Sequence, residues 1–187
     1  MSVWNKKRDI KRRYDVTARI YDTRYAEEQA AKIEAALEHV EVHAGITLDV
    51  GCGTGILFSY VADKARMTIG LDVSAKTLLK AKERARNHAN VHLICADADN
   101  MPLRDKFFNR AFAITLIQNM PCQVKTLNEI RRVIKGDALI VITGLKKVFT
   151  KRKFEQLLKS ADLNIIAMMD SGLKCYVAVC NKAEIHS

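Results

Sequence analysis

The stretch LDVGCGTGI, residues 48–56, constrains this chain more than any other. An apolar run ends in Asp49, glycines stand at alternate positions 51, 53 and 55, and Ile56, Leu57, Tyr60 and Val61 then recur at helical spacing. That pattern reads as strand, tight loop, helix. Glycine suits such a loop because it enters left-handed backbone without penalty and lets a ligand approach main-chain N–H groups that a Cβ would hold away. The spacing excludes two nucleotide cradles. A dinucleotide fingerprint, G-x-G-x-x-G, needs its third glycine where Ile56 stands, and a P-loop needs Gly-Lys-Ser/Thr where Gly55, Ile56 and Leu57 stand.

A second strand, MTIGLDVS (67–74), ends in Asp72, 19 positions beyond Gly53, where a Rossmann-type unit places the carboxylate that accepts from both ribose hydroxyls. Ser74 is positioned to cap the next helix, whose apolar side runs through Leu78, Ala81 and Ala85. Upstream, Ala26, Ala30, Ile33, Leu37 and Val40 mark an amphipathic helix over 26–40. Downstream, VHLICAD (91–97) gives a third strand. FNRAFAITLIQNMP (108–121) gives a fourth with the loop at its carboxyl end, and DALIVIT (137–143) a fifth. LNIIAMMDSGLKCYVAVCNK (163–182) gives two more around a Ser-Gly turn. Strands alternating with helices predict a doubly wound α/β domain, its site outside the carboxyl ends of the strands.

At 187 residues the chain reads as one domain, with 1–25 a basic arm and closing segment and 26–187 the core. No run approaches 18 apolar residues and MSVWNKKRDIKRRY has no apolar signal core, so the expected location is cytoplasmic, with no membrane partner. Five cysteines (52, 95, 122, 175, 180) without C-x-x-C spacing fit reduced thiols better than a disulfide frame or zinc site. Cys175 and Cys180 would face opposite sides of a strand. His39 and His43 stand four apart but without a third ligand at a suitable spacing. The formal charge of +10 points to a polyanionic partner such as RNA.

D-V-G-C-G-T-G resembles the first motif of the S-adenosylmethionine-dependent methyltransferases built on a seven-stranded Rossmann-like sheet. PCQVKTLNEIRRVIKGDALIVIT, some 70 residues on, resembles the family stretch P-x-x-x-x-x-L-x-E-I-x-R-V-L-K-P-G-G and its following strand, with Gly136-Asp137-Ala138 in place of the P-G-G turn. YDVTARIYDTRY (14–25) resembles the family's entry segment Y-D-x-x-A-x-x-Y-D, which folds over the cofactor. The resemblance covers nearly the whole chain. It implies a three-layer sandwich around a mostly parallel sheet with its last strand antiparallel, and S-adenosylmethionine as cofactor. The implied cofactor residues are Asp49, Gly51, Cys52, Gly53 and Gly55 of the loop, Asp72, Val73 on the adenine face, Asp97 or the Ala98 N–H at the adenine edge, Ile117, and Tyr14 at the mouth.

Methyl transfer from a sulfonium is an in-line displacement with a neutral leaving group, so the enzyme mainly holds methyl and nucleophile about 3 Å apart, aligned and dry. A base is needed only if the nucleophile must lose a proton. Gln118 and Asn119 are the polar groups placed to orient an acceptor, and Tyr21 joins them as a candidate catalytic residue. Asn119-Met120-Pro121-Cys122 keeps only two of the four positions of the Asn/Asp-Pro-Pro-aromatic loop usual in enzymes that methylate exocyclic or amide nitrogens.

Lys146, Lys147, Lys151, Arg152 and Lys153 follow the fifth strand at its carboxyl end and, with the basic arm (Lys6, Lys7, Arg8, Lys11, Arg12, Arg13), would rim the crevice. Arg131, Arg132 and Lys135 read as a solvated face. The expected function is methylation of RNA, a ribonucleoprotein or a translation-related protein. The alternatives are a small-molecule methyltransferase acting on a quinone-like or other metabolite, and a non-catalytic cofactor-binding partner. Bare cores of this kind resemble enzymes that need a small zinc-binding activator subunit on the sheet edge, for which Val91–Cys95 is the candidate strand.

Overall fold

A computed structural model describes residues 5, 7–9, 12 and 21–183, the side chains of 21–24 excepted. Tyr14 and the Tyr21 side chain therefore lie outside the described residues. Helix α1 (Tyr21–Leu37) precedes strand β1 (Ile46–Val50), the single turn α2 (Phe58–Val61), β2 (Met67–Asp72), α3 (Ala75–Ala85) and β3 (Val91–Cys95). Strand β4 (Phe108–Ala113), a 3-10 turn (Ile117–Asn119), α4 (Gln123–Val133), β5 (Ile134–Leu145), α5 (Lys151–Lys159), β6 (Leu163–Met169) and β7 (Cys175–Lys182) complete the chain.

The seven strands form one sheet in the order β3-β2-β1-β4-β5-β7-β6, parallel except that β7 runs antiparallel to both neighbours. Its two faces are read off strand alternation. Ile46, Leu48 and Val50 of β1, with Ala111 and Ala113 of β4, meet Leu127, Ile130, Phe154 and Leu158 of α4 and α5. On the other face Phe112, Val141 and Val179 meet Ile33 and Ala36 of α1 and Val61 of α2. Cys175 lies in this second cluster and Cys180 in the first, as alternation along β7 requires. The order reverses between β1 and β4, where the strand ends diverge and open a crevice.

Three departures from the sequence reading have physical causes. The helix expected after the glycine loop is one turn, because the loop folds through successive turns as far as Leu57 and only five residues separate Val61 from Met67. The turn expected at Gly136 is absent. Helix α4 ends at Val133 and β5 begins at Ile134, with a register shift opposite Phe108/Arg110 absorbing the junction. Arg132, read as solvated, is a structural tie: its guanidinium donates to Glu129, Asp105 and the carbonyls of Leu103 and Met101, while Glu129 also takes the Met101 N–H. Hydrogen bonds from Arg132 hold the Glu129 carboxyl below its ordinary range, despite burial. Together they fasten the 101–105 loop to α4, a physical reason for Glu and Arg three apart in this helix.

Candidate functional site

A crevice opens at the carboxyl ends of β1, β2, β3 and β4, with about 800 Å³ of empty space counting the solvent at its mouth. Gly51, Gly53, Asp72, Val73, Asp97, Ala98 and Asn119, all singled out from the sequence, line it together. A smaller cavity of about 380 Å³ continues behind the glycine loop under α1, lined by Asp49, Cys52, Gln29 and Ile33, with Gly51, Gly53 and Thr54 shared between the two.

The loop that divides them is pinned on both sides. The Gly51 and Cys52 N–H groups donate to the Leu71 carbonyl at 2.7 and 3.0 Å, Gly53 N–H donates to Asp72 Oδ2 at 2.9 Å, and Gly55 N–H to the Cys52 carbonyl. From α3, Arg84 donates to the Thr54 carbonyl at 2.8 Å. Four of the N–H groups that a phosphate cradle would present are thus spent inside the protein. The glycines serve other ends. A Cβ on Gly53 (φ +54°) would meet nothing within 4 Å, so its bareness keeps a wall of the crevice low, whereas a Cβ on Gly55 (φ +79°) would lie 2.4 Å from the Phe58 ring. Gly55 lines neither cavity and is kept for packing.

Acidic side chains gather at the site. Asp49 is 3% exposed, and burial, with the nearby Asp72 carboxylate adding to it, pushes its carboxyl up to about 8. Asp72 accepts from Gly53 N–H, Ser74 N–H (2.8 Å) and the Thr77 hydroxyl (3.3 Å), so the residue expected to take two ribose hydroxyls is also the clamp of the loop. Asp97 lies on the crevice wall with both oxygens on the Lys7 ammonium, at 2.8 and 2.6 Å. Ser74 caps α3 through Thr77 N–H, as its position predicts.

Two expected residues are displaced. Ile117 has no exposed surface and packs in the core against the α4 side, and the crevice wall is made instead by Ile114, Thr115 and Leu116. Gln118 is outside the lining, its Oε1 buried without a partner, because the 3-10 turn rotates it away. Asn119 does line the crevice, but its amide donates to the Thr115 carbonyl at 2.8 Å. Thr115 went unnoticed in the sequence, which carries no sign of its left-handed backbone (φ +60°), unusual for a β-branched residue and tied by its N–H to Thr143 Oγ1. Lys7 was counted only as part of a charge run.

A bent loop with its N–H groups consumed, set between the Asp72 carboxylate and the buried Asp49 carboxyl, offers a pyrophosphate few donors and a cationic nucleoside several acceptors. Residues 48–142 match the family model described as a methyltransferase domain. The chain belongs to this methyltransferase family. S-Adenosylmethionine is its cofactor, and the sequence expectation of a seven-stranded Rossmann-like methyltransferase holds. The chain is similar to a malonyl-[acyl-carrier protein] O-methyltransferase of Marinomonas sp., 31% identical over 150 residues that cover 79% of this chain and 55% of the relative. It therefore spans about half the length of that curated relative. Among solved structures, a Burkholderia thailandensis 1,6-didemethyltoxoflavin-N1-methyltransferase with its substrate and S-adenosylhomocysteine bound has a TM-score of 0.83 at 13% identity, covering 98% of this chain and 92% of that one. The complex of the Haloferax volcanii Trm112 methyltransferase activator with a methyltransferase matches at TM-score 0.79 and 14% identity, covering 91% and 98%. At these identities the structural likenesses show the fold.

Among the described residues no helix is long and apolar enough to cross a membrane, and no group of three or more His, Cys, Asp or Glu side chains could hold a metal ion.

Proposed function

We propose that this methyltransferase acts on RNA or an RNA-bound protein, with the acceptor brought to the mouth of the crevice by a basic rim. The cofactor, when bound, supplies an electrophilic methyl group on a positive sulfur. The chain's own residues bind and orient it. The support for an anionic acceptor is the arrangement after β5. Lys147, Arg152 and Lys153 follow the carboxyl end of that strand, on the side of the sheet where the crevice opens, and no hydrogen bond or ion pair engages their side chains among the described residues. Their neighbours are occupied. Lys146 donates to the Asp170 carbonyl, Lys151 lies 3.7 Å from Asp170, and Lys7 is held by carboxylates at the crevice. Cations left unpaired at a site mouth are available to phosphates.

A second reading is favoured by the apolar wall of Ile114, Leu116, Met120 and Pro121 and by the carrier-bound acyl substrate in the name of the Marinomonas relative: a small or carrier-bound acceptor. Incubation with labelled methyl donor and fractionated cellular RNA, protein and organic-extractable metabolites separates the two. Label in RNA or ribosomal protein supports the first, and label only in the organic phase overturns it. For an RNA acceptor, replacing Lys147, Arg152 and Lys153 by Gln should weaken binding uniformly across sequences and reduce the salt slope by about 2–3. We also propose β3, the sheet edge nearest the cofactor crevice and only half buried, as the docking strand for a small zinc-binding activator subunit. Co-expression with such a subunit, followed by co-purification that a proline at Leu93 abolishes, tests it.

A further inference from the structure

Lys32 of α1 is 1% exposed, one of the largest fully buried side chains among the described residues, although a lysine on an amphipathic helix ordinarily belongs to its wet side. Its ammonium ties two elements together. It donates to Glu28 Oε1 at 2.8 Å, one turn back on the same helix, and to the Thr115 hydroxyl at 3.1 Å, beyond the end of β4. Burial works against the Glu28 carboxylate, but hydrogen bonding and attraction from Lys32, joined by Lys174, outweigh it and hold the carboxyl below its ordinary range. The pair therefore stays charged.

Thr115 is held at every polar group. An ammonium only donates, so Thr115 Oγ1 accepts from Lys32 and its own O–H goes to Gln29 Oε1 at 3.0 Å. The Thr115 N–H donates to Thr143 Oγ1 of β5 at 2.7 Å, and its carbonyl accepts from the Asn119 amide at 2.8 Å. These ties keep a β-branched residue in left-handed backbone, φ +60°, a conformation that persists only where its surroundings impose it. Thr115 and Asn119 both line the crevice, in the segment that follows β4. The glycine loop belongs instead to the end of β1, and it is fastened from Leu71, Asp72 and Arg84.

We propose that Lys32 is a positioning residue for methyl transfer: through the Thr115 hydroxyl its buried ammonium sets the crevice wall over residues 114–120, where Asn119 is placed to meet an acceptor, and does so without touching the cofactor. A charged donor suits this task because it makes a stronger hydrogen bond than a neutral one to the residue under strain. Helix α1 is thereby coupled to the wall, 83 positions away in the chain. The inference rests on methyl transfer taking place in this crevice and not on the identity of the acceptor.

Three variants of the full chain test it: Lys32→Met, Thr115→Val, and the two combined. Glu28 is 26% exposed and keeps Lys174 at 3.4 Å when Lys32 is replaced, so the fold should survive, and Thr115→Val leaves the Lys32–Glu28 pair and the β-branched shape in place. Each is measured for the initial rate of labelled methyl transfer, at saturating S-adenosylmethionine, into the cellular fraction that wild type labels, and for S-adenosylhomocysteine affinity by calorimetry. Lys32→Met should slow transfer by about tenfold to a hundredfold, the range that misplacement at a reacting centre costs, while the dissociation constant moves by less than about threefold. In the Thr115→Val background the same substitution should slow transfer by less than about twofold further, since the hydroxyl it acts through is already gone. Amide hydrogen exchange needs no acceptor: exchange over residues 116–120 should quicken by about tenfold in Lys32→Met, with residues 51–55 unchanged. A cofactor affinity that falls in step with the rate, a Lys32→Met effect of equal size with and without the Thr115 hydroxyl, or unchanged exchange over residues 116–120 would each overturn the proposal.

Discussion

Asp49 is the residue whose environment makes the sharpest quantitative demand. Its carboxyl is buried on the α1 face of β1, in the cavity behind the glycine loop, and burial followed by the neighbouring Asp72 raises it to about 8 from an ordinary 3.8. The folded protein therefore holds a proton at this site that the unfolded chain releases. For an acid raised in the fold, stability is fully present below the unfolded value near 4 and is lost as pH climbs toward the folded value near 8. The loss is roughly 1.4 kcal/mol per pH unit within that window. Asp49→Asn cannot ionise and is free of this slope. The difference in unfolding free energy between the variant and wild type should thus move in the variant's favour by roughly 2.7 kcal/mol between pH 5 and pH 7, other titrating groups cancelling. Urea unfolding of both proteins at pH 5, 6 and 7 measures it. Saturating S-adenosylmethionine should flatten the wild-type slope, because a cationic ligand beside Asp49 lowers its affinity for the proton. Parallel stability curves for the two proteins would show that Asp49 is ionised between pH 5 and pH 7 and that the fold holds no extra proton in this cavity.

Other consequences are more local. Gly55→Ala would drive a Cβ to 2.4 Å from the Phe58 ring at a left-handed φ of +79°, and should cost about 2–4 kcal/mol in urea unfolding. A loss under 1 kcal/mol would mean that the ring gives way easily. Arg84→Ala removes the bond to the Thr54 carbonyl and should weaken S-adenosylhomocysteine binding by about three- to tenfold in calorimetry while the melting temperature changes little. Arg84→Lys should recover part of it, and equal losses in affinity and stability would assign Arg84 to packing alone. Asn119→Ala frees the Thr115 carbonyl and should reduce methyl transfer more than cofactor affinity, read as separate effects on kcat and on the dissociation constant.

Much of this architecture was legible because strand and helix periodicities alternate cleanly, and because the acidic residue after β2 and the glycine spacing are local in sequence. The Ser74 cap, the Ser-Gly turn at Gly172 and the opposite facing of Cys175 and Cys180 all follow from rules that act over a few residues. What escaped depends on partners distant in the chain. The use of the loop's N–H groups by Leu71 and Asp72 inverts the expected role of the glycines, from presenting donors to hiding them. The Lys7–Asp97 pair and the Arg132 hub convert residues that composition marks as solvent-facing into internal ties. Gln118 and Ile117 lie outside the crevice lining for a single reason: a 3-10 turn after β4 sets the angle at which each side chain leaves the backbone, and nothing in LIQNMP announces that angle.

One binding event underlies the proposed function: an adenosine gripped at the end of β2 and against the glycine bend. Calorimetric titration of S-adenosylhomocysteine into wild type and into Asp72→Ala, with cooperative unfolding of the variant checked in parallel, tests it most directly. Saturable binding to wild type and a loss of about tenfold to a hundredfold in a folded Asp72→Ala are predicted. Equal affinity of the two proteins would contradict it.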